Sequence, residues 1–153
     1  MIRPYFPNRP CEPQPLRHTV LRRVQFDELD PLAIAWHGRY ASYFEDARSE
    51  LSQRYGIGYM DLFANGILAP IKVLHVDYAR PLRFRDEISI EAILHFTESA
   101  RINFEFAITN AEGRIATTGY SIQMMLDKQE NVLIVPPPFY ASFLSRWKSG
   151  ELP

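Results

Sequence analysis

An α+β domain, in which one long helix lies against a curved antiparallel sheet, is the fold class this sequence predicts, and three observations predict it. Tyr40, Phe44, Ala47, Leu51 and Tyr55 recur at intervals of four, three, four and four, the apolar stripe of a single long α-helix. The stretches "DEISIEAILHFT" and "RINFEFAIT" instead alternate apolar and polar residues, the signature of strands with one face buried. The helical pattern comes early and the alternating ones follow in series, so the helix has a sheet to cover rather than strands to connect.

The elements follow in order. Pro4, Pro7, Pro10, Pro13 and Pro15 make residues 1–17 an extended arm, either free or packed across a partner subunit. "TVLRRVQF" reads as a first strand, with Val20, Val24 and Phe26 on one face. The long helix spans 38–55, carries the favourable Glu50/Arg54 pair and stops at Gly56; a short helix in "GYMDLFANG" ends at Gly66. "ILAPIKVLHVDYA" is a less regular strand with a bulge near Pro70 that ends at Pro81. Ile88, Ile90, Ala92, Leu94 and Phe96 then share one face of the next strand, and Ile102, Phe104, Phe106 and Ile108 one face of its neighbour. The turn "NAEG" leads into the long return strand "RIATTGYSIQMMLD". "NVLIV" is predicted as a last short strand, and Phe139, Phe143 and Trp147 as one side of a terminal helix. The chain thus divides into the arm 1–17, a domain 18–135 and a helical tail 136–153. One helix leaves the sheet edges open, so a dimer with paired or covered edges is expected.

Composition excludes several classes. Seventeen basic and eighteen acidic residues leave a net charge of -1, so bulk charge predicts neither nucleic-acid nor anionic-membrane binding. Cys11 is the single cysteine, which rules out an internal disulfide framework or cysteine-rich zinc site and makes the reducing cytoplasm the default location. The proline-rich start does not read as a secretory signal, and no apolar run has the length of a membrane span. His18, His37, His75 and His95 are scattered without HxH or HExxH spacing, so no metal site is expected, and no cofactor. Phosphate-binding GxGxxG and GxxxxGK[ST] loops and the GxSxG elbow are absent.

The chemistry concentrates in "DELDPLAIAWHGRY", residues 27–40. Acids ahead of a helix are ordinary caps, because a carboxylate meets free amides and the positive end of the helix dipole. The same place also suits catalysis: unpaired N–H groups at a helix start polarise a carbonyl oxygen, and a carboxylate nearby attacks that carbonyl or activates water against it.

The run "FDELDPLAIAWHGRYASYFEDARSEL" resembles the hotdog-fold acyl-CoA thioesterases of the 4-hydroxybenzoyl-CoA thioesterase class. Asp30, Pro31, Ile34, Trp36, His37, Tyr40, Phe44, Glu45 and Arg48 occupy the places of that pattern, and "VDYARPLRFRDEISIEA" extends it more loosely, so that it covers about residues 18–128. The resemblance implies a hotdog fold, a curved antiparallel sheet wrapped around a central helix, and a thioester hydrolase acting on acyl-CoA. It implies Asp30 as the catalytic carboxylate, as nucleophile or general base, and His37 as the residue whose backbone N–H polarises the thioester carbonyl. Trp36 and Tyr40 would wall the acyl pocket. The site would lie between subunits of a homodimer or homotetramer, completed by a partner residue near Thr117 to Tyr120. Arg101, with Arg83 and Arg85 as further candidates, would meet the phosphates of coenzyme A. The chain departs from the pattern at Ala33, where the family usually has glycine; a positive φ there would cost alanine roughly 1 kcal/mol. Two other readings stand beside this one: a thioesterase for acyl carrier protein, and a hotdog module that binds acyl chains or assembles without turnover. A hotdog dehydratase would need Glu45 and His95 to meet.

Overall fold

The computed structural model describes residues 4–153 and has the expected α+β hotdog architecture. Strand β1 (Leu16–Arg23) is followed by helix α1 (Tyr40–Arg54), the short α2 (Tyr59–Ala64), strands β2 (Ile71–Tyr78), β3 (Glu87–His95), β4 (Arg101–Thr109) and β5 (Ile115–Met124), and α3 (Pro138–Lys148). The five strands form one antiparallel sheet in the order β1-β3-β4-β5-β2, so β1 and β2 are its edges.

Alternation works as the sequence indicates. Ile88, Ile90, Ala92 and Leu94 of β3 and Ile102, Phe104, Phe106 and Ile108 of β4 are buried on the inner face, where Tyr40, Phe44, Ala47 and Leu51 of α1 meet them. The Phe44 and Phe106 rings stack with centroids 4.4 Å apart. This approach depends on Gly119 of β5, where a β-carbon would stand 2.7 Å from the Phe44 ring and 2.4 Å from the His75 carbonyl oxygen. The bulge expected near Pro70 is a register shift between Ile71 and Val73 against β5.

Two expectations change. "NVLIV" forms no strand: Val132 makes one isolated bridge to Leu126, and the prolines after it supply no amide with which to extend a ladder. Residues 1–3 of the predicted arm lie outside the described residues, but Tyr5 and Phe6 lie on the outer face of the chain's own sheet. The Phe6 ring packs 5.2 Å from His95 and the Tyr5 ring 4.9 Å from Tyr120. The tail is packed as well, with the Trp147 ring 5.2 Å from Phe96 and its indole N–H donating to the Gln14 carbonyl at 3.0 Å.

Candidate functional site

The segment between β1 and α1 turns back on itself as a small hairpin. The Trp36 N–H donates to the Glu28 carbonyl at 2.8 Å, Leu29 bridges Ala35, and the Asp30 N–H donates to the Ile34 carbonyl at 2.9 Å. Pro31, Leu32 and Ala33 form the loop. The Ala33 N–H closes it onto the Asp30 carbonyl at 2.9 Å, and Ala33 itself sits at φ 61°. This is the three-residue hairpin in which a tight turn is followed by a left-handed residue, a place glycine fills most easily. Alanine therefore keeps the turn's shape and carries the strain that the sequence comparison anticipates. One Asp30 oxygen, Oδ1, accepts the Leu32 N–H at 2.8 Å, and Oδ2 accepts no hydrogen bond among the described residues. Asp30 is thus a turn residue and still offers a carboxylate oxygen.

The far end of this hairpin runs into His37–Arg39, a short 3-10 turn that leads directly into α1 without a side-chain cap. Among the described residues the N–H groups of His37 and Gly38 donate to no acceptor, which leaves them for a ligand. Trp36 is half exposed and lies across the helix start; a β-carbon on Gly38 would come within 2.4 Å of its ring. Tyr40, 3% exposed, forms the floor, edge-on to both Tyr43 and Tyr78. Burial pushes the Tyr40 phenol above its ordinary range, with smaller upward contributions from Tyr78 and Asp30.

Two anchors were not singled out from sequence. Glu28 is 3% exposed and accepts the Tyr43 hydroxyl at 2.7 Å and the Gln25 N–H at 3.0 Å, while Arg22 bridges it to Asp46. Burial alone would raise the Glu28 carboxyl; the Gln25 amide, the Arg22 guanidinium and the Tyr43 hydroxyl outweigh that and hold it below the usual carboxylate range. Tyr78, from the edge strand β2, donates its hydroxyl to the His37 carbonyl at 2.8 Å. The only sequence signal for either was position: an acid two residues before Asp30, and an aromatic at a strand end.

Other candidates are dispersed. Arg101 pairs with Met124, whereas Tyr78 at the site end of the sheet pairs with Thr117. Thr117 and Met124 are seven residues apart on β5, about 23 Å at the rise of an extended strand, so Arg101 and the Asp30 hairpin lie toward opposite ends of the sheet. Of the segment 117–120, Thr117 is fully buried on the inner face, Gly119 faces Phe44, and Thr118 and Tyr120 lie under Tyr5. Arg83 and Arg85 are exposed next to Leu82, whose carbonyl accepts the Ala35 N–H at 2.7 Å. Glu45 pairs with Arg48 on α1, and His95 pairs with Glu105 at 2.9 Å on the outer sheet face, so the dehydratase pair does not form. Among the described residues no cluster of His, Cys, Asp and Glu is placed to hold a metal ion, and no helix is long and apolar enough to cross a membrane.

Known proteins share this fold. The model of a family described as the thioesterase-like superfamily matches residues 24–146. Acyl-CoA thioester hydrolase YbgC of Escherichia coli is 22% identical over 105 residues, which cover 69% of this chain and 78% of that protein. The chloroplastic acyl-acyl carrier protein thioesterase ATL3 of Arabidopsis thaliana is 27% identical over 130 residues, covering 83% and 67%. Among solved structures, a DHNA-CoA thioesterase from Staphylococcus aureus superimposes with a TM-score of 0.77 at 21% identity, covering 88% of this chain and 93% of that one.

Proposed function

The chain belongs to the thioesterase-like superfamily, and from that premise we propose that it is an acyl-CoA thioester hydrolase of the 4-hydroxybenzoyl-CoA thioesterase type. The observation that carries this reading is an uncommitted Asp30 oxygen in the hairpin whose far end leads directly into the unpaired amides of the helix start. The thioester carbonyl oxygen takes the His37 N–H, which stabilises the charge that develops when the carbonyl carbon is attacked. Asp30 either removes a proton from the attacking water, or adds to the carbon itself and forms an anhydride that water then cleaves. On both routes the thiolate leaves, gains a proton and is released as coenzyme A, with the acyl group freed as its acid. Trp36 and Tyr40 border the acyl side.

The proposal includes a second copy of the chain. Edge strand β2 carries Leu74 and Tyr78, 43% and 51% exposed, on the same side as the site, and an apolar edge of this length calls for pairing. Two-fold pairing of β2 with itself would run the sheets antiparallel, and so bring the far end of one level with the near end of the other. The partner subunit's Arg101 would then approach Asp30, a place suited to the phosphates of coenzyme A.

The test is thiol release from short, long, branched and aromatic acyl-CoAs, with solution mass measured in parallel. Turnover of at least one thioester by a dimer or tetramer is expected. Failure on the whole panel sinks the coenzyme A reading, and turnover confined to carrier-bound acyl groups replaces it with the carrier-protein one. Single turnover in 18O-labelled water tests the anhydride route, since label in the Asp30 carboxylate arises only when water cleaves an anhydride at the aspartyl carbon.

A further inference from the structure

Nothing on α1 itself orients its first turn: neither the 3-10 turn His37–Arg39 nor the helix after it has a side-chain cap, and neither has an acid in its first turn. Both backbone polar groups of Trp36, the residue before His37, are nevertheless held. The Trp36 N–H donates to Glu28, and the Trp36 carbonyl accepts the Arg39 N–H at 2.9 Å. The peptide after His37 is held from outside the segment, by Tyr78.

We infer that Tyr78 is a positioning residue for the proposed hydrolysis, which fixes and polarises the His37–Gly38 peptide by donating its hydroxyl to the His37 carbonyl. This rests on the hydrolase reading above and adds to it a residue outside the hairpin and helix. The bond is 2.8 Å long, between groups 41 residues apart in sequence. The Tyr78 ring is kept in place edge-on to Tyr40, with centroids 4.8 Å apart at 85°, and Tyr40 is part of the buried core. The hydroxyl is therefore aimed by a half-exposed ring whose edge rests on a buried one.

Two consequences follow from amide chemistry. Pinning the His37 carbonyl restricts rotation about the bond between its α-carbon and carbonyl carbon. With the preceding peptide already held, the direction of the His37 N–H is then set on both sides. A hydrogen bond accepted by one end of a peptide also strengthens the donor at its other end, and here that donor is the unpaired Gly38 N–H. Tyr78 thus supports two amides at the place where negative charge would develop, without itself touching the reacting atoms. Burial raises the Tyr78 phenol above its ordinary range, which keeps it protonated and able to donate across the working pH range.

The experiment is Tyr78→Phe in the full chain, which removes the hydroxyl and keeps the ring on Tyr40. With the most active acyl-CoA of the panel, kcat is expected to fall about ten-fold, KM to stay within about two-fold, and melting temperature and solution mass to stay at their wild-type values. The Gly38 amide, followed by NMR in 15N-labelled protein, is expected to shift upfield as its peptide loses polarisation. A purely structural role would lower the melting temperature without this split between kcat and KM. Wild-type kcat in Tyr78→Phe, or an unmoved Gly38 resonance, overturns the inference and leaves the hydrolase reading intact. A wild-type protein inert on every thioester overturns both.

Discussion

The hairpin around Asp30 and the one around Asp127 are built alike, and they spend their carboxylates differently. In each, an aspartate heads a three-residue loop, its N–H donates to the carbonyl four residues on, and a left-handed residue closes the turn, Ala33 at φ 61° in one and Glu130 at φ 66° in the other. Asp127 is consumed by its turn. Its Oδ1 accepts the Gln129 and Asn131 N–H groups, both at 2.9 Å, and its Oδ2 accepts the Asn131 side-chain amide at 3.0 Å; the Asn131 side chain and backbone hold its carboxyl below the usual range. Asp30 accepts one bond, from Leu32. A third copy, headed by Asn110 with Gly113 at φ 75°, closes β4 onto β5 and needs no charge at all. The loop geometry is therefore a generic device, and what sets the Asp30 hairpin apart is the oxygen that its loop leaves over, ahead of a helix start with unpaired amides.

That contrast predicts its largest effect on activity. Asparagine retains an oxygen for the Leu32 N–H but has neither a nucleophile nor a base, so Asp30→Asn should lower kcat by at least about 100-fold with little change in melting temperature. Asp127→Asn should leave kcat at wild type. Equal activities of the two variants in the thiol-release assay would place the chemistry elsewhere.

How far this was legible beforehand depends on the range of the interactions. The 3.6-residue stripe of α1 and the alternation of β3 and β4 are local, and each is found where the spacing puts it. Asp30, Ala33 and His37 were picked out by their positions along one short run. Glu28 was not, because its meaning lies in Arg22, Tyr43 and Asp46, which only folding brings together. Tyr78 escaped for the same reason, and Arg101 was placed by a turn match with no information on which end of the sheet that turn occupies. The packing of Tyr5 and Phe6 over His95 and Tyr120 left no periodic trace, since prolines set the arm's backbone and two aromatics do the docking.

Glu28 provides the second test, because the Asp30 hairpin is tethered through it to the core and the Asp127 hairpin has no such tether. Glu28→Gln should destabilise the fold by about 2 kcal/mol at neutral pH through loss of its charged hydrogen bonds. The sign with pH follows from the depressed carboxyl. Its contribution is fully present above the unfolded value of about 4.3, and is lost as pH falls through the lower folded value. Wild-type stability should therefore drop on acidification below about pH 4 more steeply than that of Glu28→Gln. Parallel acid-denaturation curves would show that the Arg22–Glu28–Tyr43 anchor contributes nothing.

The smallest effect compares the two left-handed residues directly. Ala33 and Glu130 both occupy a conformation that an L side chain tolerates poorly, and glycine removes the contact between β-carbon and backbone responsible for it. Part of that gain is offset by the greater freedom glycine has in the unfolded chain. Ala33→Gly and Glu130→Gly should each raise stability by about 0.5–1 kcal/mol, measured by urea unfolding. Their kinetics should also agree, with kcat within about two-fold of wild type, because the turn and the Asp30–Leu32 bond survive a change at the loop's last residue. If Ala33→Gly lowers kcat while Glu130→Gly does not, the methyl group of Ala33 helps hold the Asp30 carboxylate in place. The strain at that position would then belong to the site, and not only to the turn it shares with Asp127.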